Sequence, residues 1–190
     1  MVYKNKIFSE SEIKGQDFSD SSFLSCKFIN INFKFTGFKR CEFYTCDFSG
    51  SLFNAASFSD CKFPESKLSN IDFSDLKIKN CDFTQSIMTN CIFQQLKNGR
   101  GERKKFDLKG CLFVTTKLNG SVFVFCDLTK VDFQKADLEG AVFEKCNLSE
   151  TDFSQANING TGFEESFIKK TYLNIDGFVQ LGNSKGFVLK

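Results

Sequence analysis

The chain has 190 residues, 41% of them hydrophobic and 25% charged, with a formal net charge of +2. Such a composition fits one folded domain with a real core, not a disordered chain, and a charge this close to zero makes no electrostatic case for nucleic-acid contact. The absence of histidine removes His-based triads, His–metal sites and His acid–base chemistry together.

The opening MVYKNKIFSESEIKG holds no apolar run of signal-peptide length. No later window approaches the ~18 apolar residues of a membrane span. A cytoplasmic location and no membrane contact are expected.

From Phe8 the sequence settles into a period of five. Every fifth residue from Phe8 to Phe93 is apolar, Asn98 and Arg103 break the series, and it resumes at Leu108 to end at Phe178. Of the 26 phenylalanines, 21 lie on this one phase. Call the apolar residue the centre. Two residues before it stand Ser, Thr, Ala, Cys or an occasional Val, Ile or Leu. One before, Asp, Asn, Lys or Glu is common. Two after, Gly, Asn, Asp, Lys and Glu recur. A period of five fits neither the 3.6 of a helix nor the 2 of a strand. It predicts a backbone that turns a corner at every fifth residue. Four corners close a square coil with the centre and the small residue inside. About eight such coils would stack at the strand spacing of ~4.8 Å.

The nine cysteines are Cys26, Cys41, Cys46, Cys61, Cys81, Cys91, Cys111, Cys126 and Cys146, all in the small inward slot. Zinc and redox motifs need ligands two to four residues apart, and no CxxC occurs. Cys41, Cys61 and Cys81 would stack closely, yet parallel stacking aims their side chains wrongly for a disulfide. Buried free thiols are expected, with no metal and no cofactor.

Units such as Cys46-Asp47-Phe48-Ser49-Gly50, Ala136-Asp137-Leu138-Glu139-Gly140 and Thr151-Asp152-Phe153-Ser154-Gln155 resemble the pentapeptide-repeat family. The resemblance covers about residues 6 to 178. It implies an all-β fold, a right-handed quadrilateral β-helix, here over residues 1–178 with one mid-chain loop at about 96–106 and a C-terminal cap at 174–190.

The interruption reads QQLKNGRGERKKFD from Gln94 to Asp107. Leu96, Lys97, Asn98, Gly99, Arg100, Gly101, Glu102, Arg103, Lys104 and Lys105 form a basic, glycine-containing run, predicted to be a loop on one face. It reads either as a tolerated insertion or as a partner-contacting loop on a rigid scaffold. It lacks the aromatic platform of a single-strand binder.

Charge changes sign across this point. Residues 1–105 hold 16 basic and 12 acidic side chains, whereas residues 107–165 hold 10 acidic and 5 basic. Asp127, Asp132 and Asp137 occupy the slot before the centre on successive faces. With Glu139 and Glu144 they form a candidate acidic surface. Repeat consensus is one explanation and a negative rod surface is the other.

After Leu173 the repeat fades into NIDGFVQLGNSKGFVLK. An open coil end exposes backbone and apolar ladder and has to be covered. Phe178, Val179, Leu181, Phe187, Val188 and Leu189 suit a cap or a dimer contact, although Gly182-Asn183-Ser184 is a weak helix former. The stretch Gly177–Lys185 followed by Gly186-Phe187-Val188-Leu189 is similar to the ending of Qnr-type and related gyrase-protecting members. In that group this segment forms the homodimer interface.

That resemblance implies a dimeric rod that imitates a DNA duplex, binds DNA gyrase or topoisomerase IV and relieves poisoning by quinolones or peptide toxins. Qnr-type members carry projecting loops, and the run at 96–106 lies in a comparable place. A second, earlier loop is missing here, and the net charge is not acidic. The alternative is a general protein-interaction scaffold, since fold does not fix function. No nucleophile–base pair, P-loop or GxGxxG is present, so no catalytic residues and no enzyme activity are expected.

Overall fold

In the computed structural model, which describes residues 1–94 and 105–190, the chain winds as a right-handed quadrilateral β-helix of about seven turns. Strands are short because each side offers only a few residues between corners. They are β1 (Val2–Lys4), β2 (Asp17–Ser19), β3 (Ser22–Leu24), β4 (Gly37–Lys39), β5 (Glu42–Tyr44), β6 (Ser57–Ser59), β7 (Lys77–Lys79), β8 (Ile92–Gln94), β9 (Phe106–Asp107), β10 (Val122–Val124), β11 (Cys126–Asp127) and β12 (Val142–Glu144). Helix α1 (Glu10–Ile13) fills one side of the first coil, and α2 (Ile175–Ser184) follows the last.

Every strand pair among the described residues is parallel, in sheets β1-β3-β5, β2-β4-β6-β7, β8-β10-β12 and β9-β11. Isolated bridges such as Lys27↔Asp47 and Asp47↔Lys67 carry the fourth side. A centre donates its N–H to the coil above, as Phe43 does to the Lys62 carbonyl at 2.8 Å. The residue before it donates to the coil below, as Glu42 does to Ser21 at 2.9 Å.

Inside, the centres stack in four columns. Phe23, Phe43, Phe63 and Phe83 stack with nearly parallel rings, centroids 4.8 to 4.9 Å apart. Neighbouring columns meet edge-on, as Phe43 meets Phe48. Both arrangements suit the ring quadrupole. The small slot ties coils together. Thr151 donates its hydroxyl to the Leu128 carbonyl at 2.8 Å, and Cys146 donates its thiol to Phe123 at 3.3 Å. Large residues also enter that slot: Leu76 and Phe106 go with the smaller centres Ile78 and Leu108, whereas Ile31 and Ile71 sit beside Phe33 and Phe73.

The corner residue takes the left-handed region almost everywhere, from φ +50° at Asp20 to +76° at Gly110. Gly50 meets two demands, a φ of +71° and a close approach to the Asn30 side chain that a Cβ would block. Phe35 and Thr45 hold the same conformation against a penalty of about 1–2 kcal/mol.

Across the interruption Phe93 stacks on Phe123 at 4.6 Å, and Ile92 pairs with Val122. Partners there are thirty residues apart instead of twenty. The ten extra residues are two whole units, so the inward phase survives. On the neighbouring side one sheet ends at β7 and a new pair, β9-β11, begins.

The ends differ from the sequence-based expectation. Ile168 and Phe178 keep the phase but are 56% and 62% exposed, because no coil lies above them and Phe178 belongs to α2. At the other end Tyr3, also in phase, covers the first coil by stacking on Phe23 at 5.0 Å. Helix α1 lies outside the period-five expectation. Glu12 accepts the Ser9 N–H at 2.9 Å, one arm of a capping box. The weak helix former Gly182-Asn183-Ser184 is nevertheless helical through Ser184. Asn174 caps the start by accepting from Gly177 N–H at 3.1 Å, and Gly186 turns away with φ +84°.

Gln180 explains how α2 seats. Leu138 N–H finds its acceptor on Asn157, one coil above. Ile158 has no coil above it and donates instead to Gln180 Oε1 at 2.8 Å. Gln180→Ala should therefore lower stability by about 1–3 kcal/mol, the range for a buried donor left unpaired. Urea denaturation would read this directly, and a loss below experimental error would show that α2 seats by apolar contact alone.

Candidate functional site

The acidic residues look outward from three different sides. Asp127 sits between Asp107 and Asn147, Asp132 between Leu112 and Asp152, and Asp137 between Lys117 and Asn157. Each also has a local task, accepting the N–H two residues on: Thr129 to Asp127 at 3.2 Å, Gln134 to Asp132 at 2.8 Å, Glu139 to Asp137 at 3.4 Å. Asp47, Asp82 and Asp152 do the same elsewhere. Partial burial pushes the Asp127 carboxyl up, but the Thr129 hydrogen bonds and the Lys109 charge outweigh it and hold it below its ordinary value. Lys109 lies 3.4 Å from Asp127, and Lys145 lies 2.7 Å from Glu144. Glu139 is exposed. Four of these five carboxylates are thus turn caps or ion-pair partners, spread around one rod.

The expected partner loop, 96–105, falls outside the described residues except for Lys105. That lysine is half-buried, with its Nζ 5.6 Å from the Phe125 ring centre. Beside Gln94, Ile92, Val122 and Val142 stack in the outward slot.

The C-terminal apolar residues gather more tightly. Phe178, Val179, Phe187, Val188 and Leu189 line a groove of about 400 Å³ together with Ile175, Gly182 and Asn183. Ile175, which the sequence pattern does not single out, is highly exposed at its rim. Leu181 is turned the other way, against the last coil.

All nine cysteines are free and buried. Among the described residues no group of three or more His, Cys, Asp or Glu is placed to hold a metal ion. No described helix is long and apolar enough to cross a membrane.

A family profile described as "Pentapeptide repeat region" matches residues 16–93, and another, "Pentapeptide repeats (8 copies)", matches 107–144 and 136–174. A sequence search of curated proteins finds no match. Among solved structures, a trypsin-treated form of QnrB1, described as a plasmid-mediated fluoroquinolone resistance protein, is similar over 100% of this chain and 99% of its own, with TM-score 0.74 and 16% identity. A second trypsin-treated QnrB1 gives 0.55 at 17% identity over 100% and 98% of the two chains. HetL, a pentapeptide repeat protein involved in heterocyst differentiation regulation in the cyanobacterium Nostoc, gives 0.34 at 14% identity over 93% and 88%. At these identities the likeness to the two QnrB1 forms is one of fold.

Proposed function

Because this chain belongs to the pentapeptide-repeat family, we propose that it works by binding a protein partner, DNA gyrase or topoisomerase IV, and shields that enzyme from quinolones. The observation that carries this reading is the end-to-end likeness to a fluoroquinolone resistance protein. In this reading the protein is cytoplasmic and makes no direct contact with nucleic acid. Two rods join through the C-terminal groove, where Phe178, Val179, Phe187, Val188 and Leu189 supply apolar area that a single chain leaves in water. The basic run Leu96–Lys105 reaches the enzyme.

Gyrase supercoiling at a fixed inhibitory ciprofloxacin concentration tests the reading. Added protein should restore supercoiling. Removal of residues 95–104 joins Gln94 to Lys105 and places Leu108 five residues after Phe93, so the coil closes in phase. The shortened protein should fold normally and rescue at least tenfold less well, about 1.4 kcal/mol of lost interaction. Equal rescue would make the segment a plain insertion.

The second reading, a scaffold for some other partner, is favoured by the scatter of Asp127, Asp132 and Asp137 over three sides. A duplex mimic is expected to gather its negative charge. Absence of rescue at every concentration would select this reading.

A further inference from the structure

Between α2 and the last coil lies a cleft of about 150 Å³. Its floor is rigid core: Leu148 and Phe153 are fully buried. Phe163 and Leu173 form the walls, and Phe178 and Leu181 of α2 form the roof. The one polar side chain lining it, Thr171, already donates its hydroxyl to the Leu148 carbonyl at 2.6 Å. Nothing in the cleft therefore asks for a polar group. An enclosed void of about this volume with Leu and Phe walls accepts a benzene-sized guest, and this cleft offers the same room and the same lining with one side open.

The roof can yield where the floor cannot. Helix α2 has ten residues, two of them glycine, and glycine weakens a helix interior. Phe178 lines this cleft and also the outer apolar groove. A guest beneath α2 must therefore press on the same ring that faces the groove.

We propose that this cleft is a binding site for one small, uncharged, apolar molecule of about six to eight heavy atoms, and that its occupancy alters the C-terminal groove through Phe178. The second half rests on the reading of that groove as the contact between two rods. No anchoring charge or hydrogen bond is offered, so polar molecules of equal size should be rejected.

Benzene is the probe, titrated into the full-length protein, with glycerol as the polar control. Benzene should raise the melting temperature saturably, as any ligand of the native state does, and should shift NMR signals of Leu148, Leu173 and Leu181. Glycerol should leave those signals unmoved. Ile168→Phe fills the cleft from its open side, and because Ile168 is largely exposed the fold should survive. That variant should lose the benzene response while melting normally. Absence of a saturable response in the wild type, or an unchanged response in Ile168→Phe, overturns the site. Sedimentation equilibrium in saturating benzene reads the coupling, with a threefold or larger change in the dimer dissociation constant expected. An unchanged constant overturns the coupling. A protein that binds benzene yet stays monomeric at every concentration overturns the dimer reading, and the coupling with it, while supporting the site.

Discussion

Deleting the single residue Ser59 should unfold this protein, whereas deleting the twenty residues Asp47–Ser66 should not. Ser59 follows the centre Phe58 in β6. Its loss moves every later centre one place along the coil and turns the apolar series toward water. Each large apolar side chain so exposed forfeits about 1.5–3 kcal/mol, and a few of them exceed the ~5–15 kcal/mol by which domains are stable. Removing Asp47–Ser66 excises one whole coil and joins Cys46 to Lys67, restoring the order small–polar–centre with Leu68 as the centre. Phe43→Ala calibrates the scale. Phe43 is 0% exposed and is sandwiched between Phe23 at 4.8 Å and Phe63 at 4.9 Å, so the truncation should cost about 3–5 kcal/mol. Circular dichroism melts of the three variants decide the matter. A Ser59 deletion that melts within a few degrees of wild type would mean that the coil phase does not hold the fold.

The phase also makes the fold legible in the amino-acid sequence. Phe8 to Phe93 on one register dictates a corner every fifth residue, and the corners, columns and buried cysteines follow from that geometry. Local and end effects are what the period does not encode. The Ser9–Glu12 capping box is a four-residue signal inside the first coil, with no repetition to mark it. Tyr3 shares the phase, but its neighbours do not repeat the unit. Phe178 shares it too, yet no following unit supports another coil. The helix through Gly182-Asn183-Ser184 runs against propensity, and its support is tertiary, from Gln180 on Ile158 and Leu181 on the last coil. Asp127, Asp132 and Asp137 lie five residues apart and so face three different sides of the square; their shared spacing reflects the turn that each one caps.

Above pH 9 the protein should lose stability steeply, and its cysteines should be the cause. Burial pushes the Cys46, Cys91 and Cys111 thiols up to about 12, from 9.0 in an unstructured chain, and holds the Cys126 thiol well above its ordinary value. The folded-state values are raised, so the neutral thiol is the form that folding favours. The stabilisation is complete below pH 9. Between pH 9 and about 12 the unfolded chain releases these protons and the folded chain keeps them. Stability then falls by about 1.4 kcal/mol per pH unit for each thiol. Three such thiols give about 4 kcal/mol per unit, enough to consume an ordinary domain's margin near pH 10.5. Lysines also titrate there, so the decisive comparison is with a triple variant, Cys46→Ser, Cys91→Ser and Cys111→Ser. Serine is already native to this slot at Ser66 and Ser121, whose hydroxyls donate to Phe43 and Met88 carbonyls at 2.7 and 2.8 Å. The variant should fold, match wild type in the flatness of its stability between pH 7 and 8.5, and lose less by pH 10.5, the raised Cys41, Cys61 and Cys126 thiols accounting for the remainder. Urea titrations under reducing conditions at these pH values read the difference. Parallel alkaline losses in the two proteins would place the titrating groups elsewhere and refute the thiol origin.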